Sequence, residues 1–339
     1  MAGSPGRPVG HILVTFASFV GFNPESMKTI PSLLLLSAAL AVSATAHATI
    51  ERNIEKSYTV SGAGTIHLHT GGGGIKVTSG SDGVVKVIAH EKIRADSDSE
   101  ADDLLKDLEL TFDQSGNDVT AKAKWNRTMS GFHFGWWPPV QVSFEAIVPA
   151  SYAADLHTSG GGIQVGDLSG AVFARTSGGG IELGKMGGKV DVHTSGGGIT
   201  LKEARESAKL DTSGGNISVG RVAGPAELST SGGGIRIDSV EQSVRAHTSG
   251  GSVHAGIVGP VKGDCELSSS GGSIHVTVDK TAAFHLDAST SGGGVHADGL
   301  TITLKDGDHS RSRLNGDVNG GGPEVKLRTS GGSINVDVR

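Results

Sequence analysis

From residue 158 onward, apolar and polar positions alternate with period two on either side of a recurring glycine-rich corner. The tetrapeptide Thr-Ser-Gly-Gly begins at Thr158, Thr176, Thr194, Thr212, Thr230 and Thr248, five successive steps of 18 residues. The phase continues by steps of 21 to Ser269 and Thr290, then 39 to Thr329, as if one coil had lost its turn. An earlier copy, Thr70 followed by Gly71 to Gly74, stands alone. Five residues after each Thr comes an aliphatic residue such as Ile163, Ile181, Ile199 or Ile274, and two further on comes Val165, Leu183, Leu201 or Val276. The residue between them is polar in every copy. Ahead of the turn the positions four and two before Thr are again apolar, as in Val172/Ala174 and Val190/Val192. Period-two alternation is the signature of half-buried strands, not of helices.

One such unit cannot fold alone. It buries about five apolar side chains at roughly 1.5–3 kcal/mol each, against about 1–2 kcal/mol of backbone entropy per ordered residue. Stacking the units about 4.8 Å apart gives every strand a partner above and below and turns the apolar positions into continuous ladders. The pattern therefore predicts an all-β, single-chain parallel β-solenoid with coils of 18 to 21 residues. The glycine pair at each corner supplies either positive φ or close backbone approach, and the Thr and Ser hydroxyls are expected to stack in ladders. A left-handed hexapeptide helix fails because the apolar offsets are not multiples of six. A calcium-binding nonapeptide roll fails because Val165, Leu183 or Leu201 stands where Asp would coordinate.

Between the isolated coil and the array the pattern changes. Ser97 and Glu100 form a capping box ahead of Leu104, Leu105 and Leu108, predicting one short helix over about 98–108. Leu110/Phe112 and Val119/Ala121/Ala123/Trp125 alternate about Ser115-Gly116-Asn117 and read as a hairpin. Residues 49–155 are thus a first coil with a capping insertion that includes an aromatic loop, 125–139, and residues 156–339 are the repeat array. The insertion's first task is to cap an otherwise unpaired end.

Composition sharpens the picture. Glycine makes up 54 of 339 residues and aromatic residues only 4%, which suits thin aliphatic coils rather than a ring-filled core. A formal charge of -6 leaves no basic stripe for nucleic acid. The single cysteine, Cys265, rules out an intrachain disulfide and aligns with core positions Val190 and Val244. Lys28, the apolar run Leu33 to Val42 and the small-residue end Ala46-His47-Ala48 have the layout of a secretory signal peptide over 27–48. Residues 1–26 are then read as a start-site misassignment. The mature chain is expected to be exported, periplasmic, surface-bound or secreted, with no transmembrane segment.

Signal peptide, first Gly-rich coil, capping insertion with a helix, and Thr-Ser-Gly-Gly-Gly-Ile coils closing on Thr329-Ser330-Gly331-Gly332-Ser333-Ile334 resemble the bacterial putative-adhesin family over roughly residues 55–339. The resemblance implies an exported or surface-associated bacterial β-solenoid and carries over no catalytic residues.

Candidate chemistry is sparse. Phe132, Phe134, Trp136 and Trp137 crowd one short stretch, and aromatic faces on a loop suit stacking on sugar rings; burial between cap and solenoid is the competing reading. His254, His275 and His296 occupy the outward position of three consecutive copies and would stack as an imidazole ladder, although three collinear ligands do not surround an ion. His157, His193 and His247, each just before a turn Thr, do not fall in consecutive coils. Outward positions vary from copy to copy, so no acidic pair, nucleophile elbow or phosphate loop emerges. The expected role is non-enzymatic and cofactor-free: an adhesin-like solenoid binding envelope glycan, a cell surface or a protein partner. A carbohydrate-active enzyme and a metal- or pH-responsive sensor using the His ladder are the alternatives.

Overall fold

The computed structural model describes residues 48–126 and 139–339. It is a parallel β-solenoid in which each coil contributes one strand to each of two long sheets. Sheet A has 13 strands and sheet B has 14. In a typical coil Ile181–Met186 lies in sheet A, the chain turns, and Val190–Thr194 lies in sheet B. The Ser-Gly-Gly corner then returns it to sheet A at Ile199–Ala204. Successive coils pair in parallel with like residues in register, Ile181 with Ile199 and Val190 with Ala208. The ladders of Ile, Val, Leu and Ala between the sheets are almost entirely excluded from solvent. The largest buried rings, Phe144, Tyr152 and Phe284, belong to coils near the two ends of the stack.

The corner glycines act through close approach. None of the positive-φ glycines lies in a Thr-Ser-Gly-Gly corner. A Cβ on Gly161 would stand 2.2 Å from the carbonyl oxygen of Gly73 in the adjacent coil, and the same contact recurs from Gly179 to Gly161. Coils stacked at strand spacing leave no volume there for a side chain. The hydroxyls do not form hydroxyl-to-hydroxyl ladders either. Whereas Thr70 donates to the Val142 carbonyl (2.6 Å), from Thr158 onward each buried corner Thr donates to the carbonyl of the glycine three residues after the corner Thr or Ser of the neighbouring coil, as Thr158 does to Gly73 (2.7 Å) and Thr194 to Gly179 (2.7 Å). It accepts from an N–H of its own corner, Gly197 N–H for Thr194 (3.4 Å). One oxygen thereby satisfies two backbone groups that would otherwise be unpaired.

Chain order and stacking order differ at both ends. The first coil, Thr65–Thr70 with Ile75–Gly80, lies between the coil formed by Asp118–Trp125 and Val140–Pro149 and the coil beginning at Ala153–Thr158. Antiparallel strands close this end: Thr49–Thr59 on Val84–Arg94 in sheet A, and Leu108–Ser115 on Asp118–Trp125 in sheet B. The helix, Asp98–Leu105, is N-capped by Ser97, whose Oγ accepts from Glu100 N–H (3.2 Å). It ends before Leu108, which instead opens a strand opposite Trp125. At the far end the last coil, Glu324–Thr329 with Ile334–Val338, inserts between the Cys265–Ser269 coil and the Phe284–Thr290 coil. The 39-residue step is therefore not a coil without its turn. The hairpin Ile302–Ser310/Arg313–Val318 adds antiparallel to Phe284–Thr290, and the chain then returns inside it.

Candidate functional site

On sheet B the residue before each corner Thr points outward, because the Thr itself is buried and strand side chains alternate. In stacking order this column reads Lys122, His69, His157, Arg175, His193, Asp211, Ser229, His247, Ser268, Arg328 and Ser289. Two places along it gather chemistry.

The first is a two-by-two grid. His67 and His69 on one strand face Asp155 and His157 on the next, in register. Asp155 Oδ2 is 3.0 Å from His67 Nδ1 and Oδ1 is 2.8 Å from His157 Nε2, while the His69 and His157 rings stack at 4.6 Å. Ligand atoms of His69, Asp155 and His157 lie within 4.8 Å of one another. Burial, with His157 and Lys122 nearby, holds the His69 imidazole below its usual pKa. Burial works against ionisation of Asp155, but hydrogen bonds from His67 and His157 outweigh it and hold the carboxyl below its usual range. Near neutral pH the grid thus presents a carboxylate beside a neutral imidazole.

The second is a groove of about 440 Å3 created where the last coil inserts. Ser268, Ser270, Ser289, Ser291, Ser312 and Ser330 line it with His247, Arg313 and Arg328, and its lining holds no carboxylate. His247 Nδ1 is 2.9 Å from Ser268 Oγ. Arg328 reaches out of the lining to Asp287, donating to its backbone carbonyl (2.7 Å) and to its carboxylate. Although burial opposes it, this guanidinium, with Arg313, holds the Asp287 carboxyl below its usual range. The arrangement offers hydroxyl donors and acceptors flanked by two guanidiniums, one of them, Arg328, paired with the Asp287 carboxylate beside the groove.

Residues 190–337 match the family model described as Toastrack DUF4097. This segment is similar to toastrack domains. No curated protein matches the chain. Among solved structures, a "putative adhesin" from Bacteroides fragilis is 14% identical with a TM-score of 0.33, the match covering 85% of this chain and 97% of that one. A "putative lipid binding protein" from Parabacteroides distasonis is 15% identical with a TM-score of 0.40, covering 84% and 96%. A "putative cell adhesion protein" from Clostridium sporogenes is 12% identical with a TM-score of 0.23, covering 85% and 100%. The serine-lined groove falls within the matched segment; the His/Asp grid precedes it.

The residues singled out from sequence fare differently. Phe132, Phe134, Trp136 and Trp137 lie outside the described residues. The expected three-His ladder is interrupted. His254 and His275 are neighbours, with ring centroids 5.7 Å apart, but Asn335 of the inserted coil separates His275 from His296. Cys265 is a buried free thiol in register with Val244, and burial pushes its pKa up. Sequence reasoning passed over His69 and Asp155 because it left the Thr70 coil unstacked. The shared frame of His67-Leu68-His69-Thr70 and Asp155-Leu156-His157-Thr158 would have aligned them.

Proposed function

We propose that this chain is an exported, non-enzymatic, adhesin-like solenoid that binds an acidic envelope glycan along the serine-lined groove of its toastrack-like segment. The observation that carries the reading is that groove's lining: hydroxyls on adjacent coils with two guanidiniums, Arg313 and the Asp287-paired Arg328, and no carboxylate among the described lining residues. Serine hydroxyls exchange hydrogen bonds with sugar hydroxyls, and a guanidinium fork matches a carboxylate or phosphate in two-point geometry. Parallel coils repeat these groups along the stack, which suits a polymer better than a single small molecule. The signal-peptide layout of residues 27–48 supports export, and among the described residues no helix is long and apolar enough to cross a membrane. Calorimetric titration with acidic and neutral polysaccharides tests the reading. Acidic polymers are expected to bind, more weakly at high salt, with Arg313→Ala weakening binding about tenfold, roughly 1.4 kcal/mol. Equal binding of neutral polymers, or no effect of Arg313→Ala, would overturn it.

A further inference from the structure

We infer that His69, Asp155 and His157 form a binding site for a divalent first-row transition-metal ion on the outer face of sheet B, with His67 positioning the carboxylate. The site lies before the toastrack-like segment and stands independently of the glycan reading.

Adjacent parallel strands place His69 beside His157 and His67 beside Asp155, all projecting from the same face. Such a grid brings side chains of two strands toward one point, which a single column cannot do. His254 and His275 share a column that Asn335 interrupts, and Asp337 in the next column reaches His275 Nδ1 at 3.5 Å, but among the described residues only His69, Asp155 and His157 bring three ligand atoms within 4.8 Å of one another. In the grid, ligand atoms from three residues are already within 4.8 Å of one another, and the closest pair, His157 Nε2 and Asp155 Oδ1, is at 2.8 Å. Metal bonds of about 2.0–2.2 Å to nitrogen and oxygen set ligand separations near 3–3.5 Å. Closing the remaining gap requires the stacked His69 and His157 rings to rotate.

The donor chemistry selects the ion. Two imidazoles and a carboxylate suit zinc, copper, nickel or iron, whereas calcium and magnesium prefer all-oxygen shells. His67 Nδ1–H reaches the far carboxylate oxygen, Asp155 Oδ2, at 3.0 Å, leaving Oδ1 for the ion. Hydrogen bonds of this outer kind orient a ligating group and strengthen the site. The ligand side chains are half-buried, so remaining coordination positions face water. Lys122 lies in register with His69, and Arg175 lies in register with His157. Arg175 approaches Asp191 at 3.5 Å, leaving Lys122 as the cation that opposes the bound metal.

Titration of the purified chain with Co2+, followed by its visible absorption and by competition with Zn2+, tests the site. One equivalent should bind with a spectrum diagnostic of nitrogen and oxygen ligation. His69→Ala and His157→Ala should each weaken binding by at least about tenfold, His67→Ala should weaken it less, and Lys122→Ala should tighten it. A His254→Ala/His275→Ala double variant should bind as the parent does. Circular dichroism and melting temperature of the metal-free variants establish that the fold is kept; where an alanine variant unfolds, His69→Gln or His157→Gln replaces it. No saturable binding, unchanged binding by a folded His69/His157 double variant, or loss of binding in the His254/His275 variant would each overturn the assignment.

Discussion

Asn335, close to the end of the chain, pairs with His275 on one side and with His296 on the other. The last coil is thus a wedge inside the stack. Its Ile334 and Val336 continue the ladder between Ile274/Val276 and Val295/Ala297. Removing residues 324–339 deletes both neighbours at once: the coil formed by Phe284–Thr290 and Val295–Asp298 loses its inner partner and the Ile274–Val278 coil its outer one. Limited proteolysis of such a truncation should reveal new cleavage between 279 and 323 while the preceding coils stay resistant. Unchanged resistance across 279–323 would contradict the inserted topology.

The corner geometry separates two neighbouring glycines. Gly161→Val places a Cβ within 2.2 Å of the Gly73 carbonyl and should destabilise the chain by at least about 1–3 kcal/mol, read as a lowered melting temperature. Gly162→Ser meets only the Gly180 carbonyl at 3.3 Å, and Asn216, Ser252, Ser273 and Ser333 already occupy the equivalent position. That variant should melt close to the parent. Equal melting temperatures for the two variants would mean that close approach does not govern the corner.

Thr194 is fully buried, and its hydroxyl links Gly179 O and Gly197 N–H. Thr194→Val keeps the shape and leaves both groups unpaired, costing about 1–3 kcal/mol. Thr194→Ser should recover most of the loss, because Ser269 makes the same two bonds to Gly251 O (2.7 Å) and from Gly272 N–H (2.9 Å). Denaturant unfolding of the pair checks this, and a Val variant as stable as the Ser variant would contradict it.

Glu91 faces inward between the sheets at the capped end, 5% exposed, beside Leu108, Leu110 and Phe112. Burial raises its pKa, and the facing Arg52, held by Asp102 (2.6 Å) and Asp98 (3.3 Å), only partly opposes the rise. Between its ordinary pKa and the raised one, the folded state therefore holds a proton that the unfolded chain has released. The associated stability is fully present below the ordinary carboxylate pKa and is lost as pH rises through the raised value. Glu91→Gln should melt higher than the parent at pH 7, with the gap closing toward pH 4. A variant that melts lower at pH 7 would show that Glu91 is ionised and satisfied in the fold.

The groove and Trp125, the last residue of the strand Asp118–Trp125, lie at opposite ends of sheet B. Tryptophan emission from Trp125, Trp136 and Trp137 should accordingly stay unchanged when an acidic glycan saturates the groove. A ligand-dependent shift would move the binding surface to residues 125–139.

The repeating coils were readable because one constraint acts on every copy: a buried Thr, a glycine under a neighbouring backbone, and alternating aliphatic residues. Ile163, Ile181 and Ile199 reveal their ladder in the sequence alone. The insertions at the ends were not readable, since parallel pairing accepts any coil that repeats the pattern, whatever its place in the chain. That ambiguity hid both sites. His69 meets His157 only because the Thr70 coil stacks on the Thr158 coil, and the serine-lined groove exists only because the Thr329 coil enters between those of Ser269 and Thr290. The expected His254–His275–His296 ladder failed for the same reason.

The central claim is that the inserted coil builds the binding surface. Backbone amide chemical-shift mapping during titration with an acidic oligosaccharide tests it most directly. The account predicts perturbations concentrated at 268–270, 289–291, 312–313 and 328–330, lost in Arg313→Ala. Perturbations clustered at 125–139, or none along the groove while binding persists, would contradict it.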